Sequence, residues 1–208
     1  MVGTNRDEMA FFYWERKATD LFTLTDDGLK VQLDKDFGAN AEKILATYRK
    51  SRPDASPSDL YIAITTSRAM WLGSIEIAEK KLAQKGAPVY MYMFTHESNM
   101  IVPGTNHRLG AAHATEIWYK FDNVNAERPK DFPGPSLIGD DPDRFKAAKN
   151  MSEMWATFAR TGHPGAKGQP AWPAYTLPKR STMMINRECK IVDDPFGQEL
   201  ALWDGLSV

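Results

Sequence analysis

"PVYMYMF", residues 88–94, is an apolar and aromatic run that carries no charge. Its length, its composition and Pro88 at its first position, where a missing N–H costs least, predict a buried strand. Upstream, residues 58–85 predict one long helix, capped by Ser58 or Asp59, with a weak point at Gly73-Ser74 and a C-cap at Gly86. Downstream, "THESNMIVPGTNHRLGAA" reads as a loop leading into a short helix near 114–121. A buried strand between helices is the alternation of an α/β protein with a mostly parallel sheet.

The rest of the chain extends this pattern. Residues 39–50, "ANAEKILATYRK", predict a helix ended by "SRPDASP". Residues 122–140 are rich in Pro, Asp, Asn and Gly and read as an irregular connection. A helix over 141–161 follows from Phe145, Ala148, Met151, Met154, Trp155 and Phe158 recurring every three or four residues, with Trp155 and Phe158 expected in the core. "STMMIN" and "CKIVD" read as paired strands around Arg187-Glu188, and "PFGQELALWD" as a closing helix with Pro195 in its first turn.

Composition narrows the function. Lys+Arg 26 against Asp+Glu 27 gives a formal charge of -1, which offers no global field for nucleic acid or an anionic membrane. Six Trp and ten Met suit an apolar ligand pocket or a large buried interface. Cys189 is the one cysteine, so there is no intrachain disulfide and no thiolate metal cluster. "MVGTNRDEMA" has neither the basic nor the apolar region of a secretory leader, and no run approaches the roughly 18 apolar residues of a membrane span. No cellular location follows from this.

Two loops carry candidate chemistry. In "VGTNRDE", residues 2–8, polar turn-formers follow Val2-Gly3, as if a strand ended at residue 2 and delivered Asp7 or Glu8 beyond it. In "LGAAHATEIWYKF", residues 109–121, His113 sits in the loop that follows a later strand. A carboxylate and a histidine from the ends of two strands form two-thirds of an acyl-transfer triad, the acid orienting the imidazole and stabilising its protonated form. No G-x-S-x-G nucleophile elbow occurs: Ser74 in "LGSIE" and Ser136 in "GPSLI" lack the flanking glycines and read as a helix and a loop residue. A metal site from His96, His107, His113, Glu97 and Glu116 is disfavoured, because no pair has the spacing of a helical ligand motif.

These stretches resemble the type-B carboxylesterases, the family of para-nitrobenzyl esterases and cholinesterases. "GTNRDE" resembles the acid motif, "PVYMYMF" the strand before the histidine loop, and "LGAAHATEIWYKFDN" the histidine motif. "MSEMWATFARTGHPGAKGQPAWPAY" and "TMMINRECKIVDDP" resemble the family's last helix, Pro/Trp loop and terminal strand pair. The resemblance implies that residues 1–208 are the C-terminal part of an α/β-hydrolase domain, with Glu8 rather than Asp7 as triad acid and His113 as general base. It also implies that the serine nucleophile and oxyanion glycines lie upstream of Met1. Met9 and Ala114 depart from the pattern, standing where the family commonly has glycine.

The resemblance implies a serine carboxylesterase acting on small carboxylic esters without a cofactor. Met70, Trp71 and Trp118 are candidate substrate-pocket residues. The alternatives are a non-catalytic cholinesterase-like interaction protein, or a half-protein that assembles with a separate N-terminal chain. Retention of both Glu8 and His113 favours the enzyme. The chain alone is expected to be inactive, with a sheet edge covered by the N-terminal part or by self-association.

Overall fold

The computed structural model describes residues 1–125 and 137–206. In chain order the elements are β1 Val2–Asn5, α1 Glu8–Glu15, α2 Asp26–Phe37, α3 Ala41–Ser51, α4 Pro57–Thr66, α5 Leu72–Ala83, β2 Met91–Phe94, β3 Ser98–Ile101 and β4 Arg108–Gly110. They continue with α6 Glu116–Lys120, α7 Arg144–Thr161, β5 Thr182–Ile185, β6 Lys190–Val192 and α8 Gly197–Asp204. The main sheet has the order β1-β2-β5-β6, with β1, β2 and β5 parallel and β6 antiparallel to β5. β3 and β4 form a separate antiparallel pair.

The 88–94 run shows why this is an α/β fold. All four residues of β2 are buried, and their side chains alternate between two faces. Tyr92 and Phe94 pack with Met183 and Ile185 against Ala147, Ala148, Met151 and Met154 of α7. Met91 and Met93 pack with Met184 against Ile75 and Ala78 of α5 and Leu200 of α8. Helices thus cover both sheet faces, which explains why β2 reads as continuously apolar. A third cluster, holding Leu29, Leu33, Ile44, Tyr48, Leu60 and Ile64, joins α1 to α4 beside the sheet.

Several expected boundaries move, each for a local reason. β1 does not end at residue 2: it runs to Asn5, because Thr4 and Asn5 are buried and registered against Met93 and Phe94. The predicted 58–85 helix is capped by Ser56, whose hydroxyl accepts from the Asp59 N–H while the Asp59 carboxylate accepts from the Ser56 N–H, a closed capping box with Pro57 at the first turn. Ser58 instead accepts from the Leu24 N–H. The irregularity lies not at Gly73-Ser74 but in a π-helical turn, Ser67–Trp71. The helix ends at Ala83, and Lys85 with φ 52° turns the chain in place of Gly86. Pro195 precedes α8, which opens after Phe196 at φ 60°.

The strand pair at "STMMIN" and "CKIVD" is present as β5 and β6, and Ser74 lies in α5. On α7, Ala148, Met151 and Met154 are buried as expected, whereas Phe145 is exposed and Trp155 and Phe158 are half-buried. Those two rings line a groove of about 550 Å³ with Met1, Val2 and Gly3, along an edge of β1 that has no strand partner among the described residues. Part of the predicted 122–140 connection, including Ser136, lies outside the described residues. Among the described residues, no helix is long and apolar enough to cross a membrane.

Candidate active site

The acid loop leaves the C-terminal end of β1, where the pairing with β2 finishes at Asn5 and Phe94. The Arg6 N–H continues the ladder to the Phe94 carbonyl, after which the chain turns into α1. Asp7 stands at the N-cap position, yet its carboxylate caps nothing in α1. It accepts instead from the Ala111 N–H at 2.9 Å, and the Asp7 N–H donates to the Ala111 carbonyl at 3.0 Å. This paired contact stitches the acid loop to the histidine loop across more than a hundred residues of sequence. Gly110, at φ 73°, permits it twice over, by its left-handed backbone and because a Cβ there would meet the Asp7 carboxylate at 2.5 Å.

Glu8, the first residue of α1, is buried. Its Oε1 accepts from the Asn5 N–H at 2.7 Å, and its Oε2 lies 2.6 Å from Nδ1 of His113. Burial pushes the Glu8 carboxyl above its usual 4.5; the Asn5 and His113 contacts oppose that rise, and the nearby Glu116 charge adds to it. The N-terminal end of α1 supplies a partial positive charge where the carboxylate must ionise.

His113 differs from its partner in exposure, with 41% of its side chain open to solvent. The ring packs against Phe12 at 4.9 Å between centroids and against Phe11 at 6.0 Å. With Nδ1 committed to Glu8, Nε2 has no hydrogen-bond partner among the described residues. Ala114, immediately after it, adopts φ 65°, a left-handed conformation that glycine takes at lower cost. The departure at Ala114 is therefore a backbone matter. Met9 has no such requirement, since it lies inside α1 and its N–H donates to Thr66 Oγ1.

The remaining expected site residues are not assembled around the His113 ring. Trp71 is buried among Ile75, Met91 and Met93, a core position rather than a pocket wall, with Met70 half-buried next to it in the chain. Trp118 is half-exposed on α6. The apolar groups in contact with the imidazole are those of Phe11 and Phe12, from the "FFYW" run of α1. That cluster was visible in the sequence, but nothing in it shows which rings turn towards residue 113.

The histidines and acids of the two loops disperse to separate partners. His107 pairs with Asp59, His96 with Asn186 and Glu97 with Arg6. Among the described residues no group of three or more metal-ligating side chains converges.

Asn5 is a site residue that the sequence did not mark. Besides its backbone bond to Glu8, its side-chain nitrogen donates to the Ala112 carbonyl at 2.6 Å and to Glu116 Oε2 at 2.7 Å. A buried acid fixing the near nitrogen of an imidazole, while the far nitrogen faces solvent from a loop at the strand ends, is an acid-histidine unit on an α/β-hydrolase scaffold.

The model of the carboxylesterase family matches residues 1–203, and the chain belongs to that family. It is 28% identical to the para-nitrobenzyl esterase of Bacillus subtilis over 94% of its own length and 35% of that protein's. It is 26% identical to the liver carboxylesterase of Sus scrofa over 71% of its own length and 24% of the relative's. Its fold is similar to the crystal structure of the Geobacillus stearothermophilus carboxylesterase EST55, with a TM-score of 0.73 at 28% identity, covering 97% of this chain and 39% of that one. The chain thus spans about a third of the length of such relatives.

Proposed function

We propose that this chain supplies the acid and the histidine of a Ser-His-Glu carboxylesterase, Glu8 and His113, to a serine carried outside these 208 residues. The 2.6 Å contact between Glu8 Oε2 and His113 Nδ1 carries this reading, because it commits one ring nitrogen and leaves the other for chemistry. Nε2 of His113 accepts the serine hydroxyl proton as Oγ attacks the ester carbonyl carbon. The tetrahedral intermediate collapses, the same nitrogen protonates the leaving alkoxide, and an acyl-enzyme remains. Water, deprotonated by Nε2, then attacks the acyl carbon and releases the carboxylic acid while the proton returns to serine. Throughout, Glu8 holds the Nδ1–H and stabilises the imidazolium without taking the proton.

We further propose that the free edge of β1 and the groove along it are where the serine-bearing part of the enzyme pairs, since an unpaired strand edge and exposed apolar rings are sites of association. Without that part, a second copy of the chain covers the edge. The small-molecule substrate is a carboxylic ester, by analogy with the esterases to which the chain is similar. A purely adhesive, cholinesterase-like role is less well supported, because it has no use for a buried carboxylate held on a solvent-facing imidazole.

Assay of the purified, mass-verified 208-residue chain with a short-chain para-nitrophenyl ester tests this. No His113-dependent turnover is expected, and the coding sequence upstream of Met1 should contain a G-x-S-x-G elbow. Turnover near that of an intact esterase, abolished by His113→Ala, would overturn the claim that the nucleophile comes from elsewhere.

A further inference from the structure

We propose that Asn5 is the positioning residue of the acid-histidine unit, a strut that fixes the distance between the acid loop and the histidine loop and keeps a second carboxylate, Glu116, away from Glu8. The inference rests on the reading of Glu8 and His113 given above. Asn5 is almost completely buried at the last position of β1. Its backbone N–H holds Glu8 Oε1, and its side-chain nitrogen reaches the carbonyl of Ala112, the residue before His113, and Oε2 of Glu116 in α6. Both side-chain partners are acceptors, so the nitrogen end of the amide must face them, and both its protons are used. Glu116 Oε1 is in turn held by Lys120 at 2.8 Å, which fixes the far end of the strut on α6.

Few side chains could replace this amide. An aspartate would set a third carboxylate between two others, and a threonine or valine lacks the two donors. Because Asn5 touches Glu8 and the backbone next to His113 but not the ring itself, its effect is on the geometry of the Glu8–His113 hydrogen bond.

The test reads that bond directly and needs no serine. In the nitrogen-15-labelled 208-residue chain, the His113 Nδ1 proton should give a strongly downfield, slowly exchanging resonance that Glu8→Gln abolishes. Asn5→Ala should remove or exchange-broaden it while the chain remains folded by circular dichroism. Met151→Ala, a core truncation on α7, should lower Tm and leave the resonance in place, which separates positioning from general destabilisation. If Asn5→Ala does not fold, Glu116→Ala, which releases the far end of the strut, must weaken the same resonance. A resonance that survives in folded Asn5→Ala, or in Glu116→Ala when that variant is needed, overturns the role of Asn5 and leaves the acid-histidine reading standing. A wild-type chain that lacks the resonance, or one whose resonance Glu8→Gln leaves unchanged, overturns both.

Discussion

Two histidine–carboxylate pairs in this chain draw their histidines, His107 and His113, from one short stretch, and they are built in opposite senses. In the Glu8–His113 pair the acid is 8% exposed in its side chain and the histidine 41%; in the Asp59–His107 pair the acid is 52% exposed and the histidine 17%. His107 has both ring nitrogens engaged, Nδ1 with the Arg108 carbonyl and Nε2 with Asp59. Its ring also packs on Phe22 at 5.3 Å. Among the described residues, His113 has only Nδ1 engaged. The carboxyl pKa values part accordingly: burial raises that of Glu8, whereas the hydrogen bond from His107 lowers that of Asp59 to about 2. Burial alone would lower the His107 pKa, but its bonds to Asp59 and the Arg108 carbonyl outweigh it and raise the value above 6.5. A histidine with no free nitrogen is a clasp; one whose far nitrogen is left open is the one we propose as the base.

The largest expected effect tests that division of labour. In the polypeptide that carries the serine, His113→Ala should lower kcat/KM by ~10⁴-fold or more, as removal of a triad member does, and His107→Ala by less than ~10-fold. Steady-state kinetics of the proposed serine-bearing esterase with a para-nitrophenyl ester measures both; equal losses would erase the distinction.

The clasp should show itself in stability instead. The folded pKa of Asp59, about 2, lies below its usual 3.8, so its contribution is present above pH 3.8 and is lost as the pH falls towards 2. The His107 pKa is raised, so its contribution is present below pH 6.5 and is lost as the pH rises through the folded value. The pair is therefore most stabilising between about pH 4 and 6.5, where Asp59→Asn should cost about 1 kcal/mol, the exposure of Asp59 keeping the figure small. Urea unfolding at pH 5 and pH 8 tests this, and an equal cost at both would count against the clasp.

Glu8 should have the pH slope opposite to that of Asp59. Its folded pKa is raised, so stability is retained below pH 4.5 and declines as the pH rises through the folded value, and Glu8→Gln should flatten that decline in the same titration. The smallest effect belongs to Ala114. Relief of its left-handed backbone by Ala114→Gly should gain roughly 0.5 kcal/mol, the strain released being partly offset by the greater freedom of glycine in the unfolded chain. A loss of Tm instead would mean that φ 65° is not strained there.

The α/β class, the buried strand at 88–94, the helices near 39–50 and 141–161, and the terminal strand pair were all legible in the sequence, because each is written in local periodicity and composition. Glu8 and His113 stood out as candidates through the motifs around them, and the structure brings the two side chains into contact. The cap of the long helix lies at Ser56 rather than at Ser58 or Asp59, since the reciprocal Ser56–Asp59 bonds, not the first polar residue after Pro57, set where the helix starts. Trp71 shows a different limit: a tryptophan on a helix can face a pocket or a core, and only the packing of Met91 and Met93 against it settles which.

The sequence by itself determined the pattern of buried faces and the two loops that carry an acid and a histidine, because alternation, helical period and short motifs act over a few residues. The residue pattern left Asp7 and Glu8 open and the family resemblance pointed to Glu8; the tertiary structure shows which carboxylate meets His113. Asp7 and Glu8 are neighbours, yet one carboxylate reaches the Ala111 N–H and the other the His113 ring, and Asn5 at the end of β1 adds a second link between the two loops. Those choices depend on the parallel register of β1 on β2, which brings residues more than a hundred positions apart within hydrogen-bond reach, a distance no local pattern encodes.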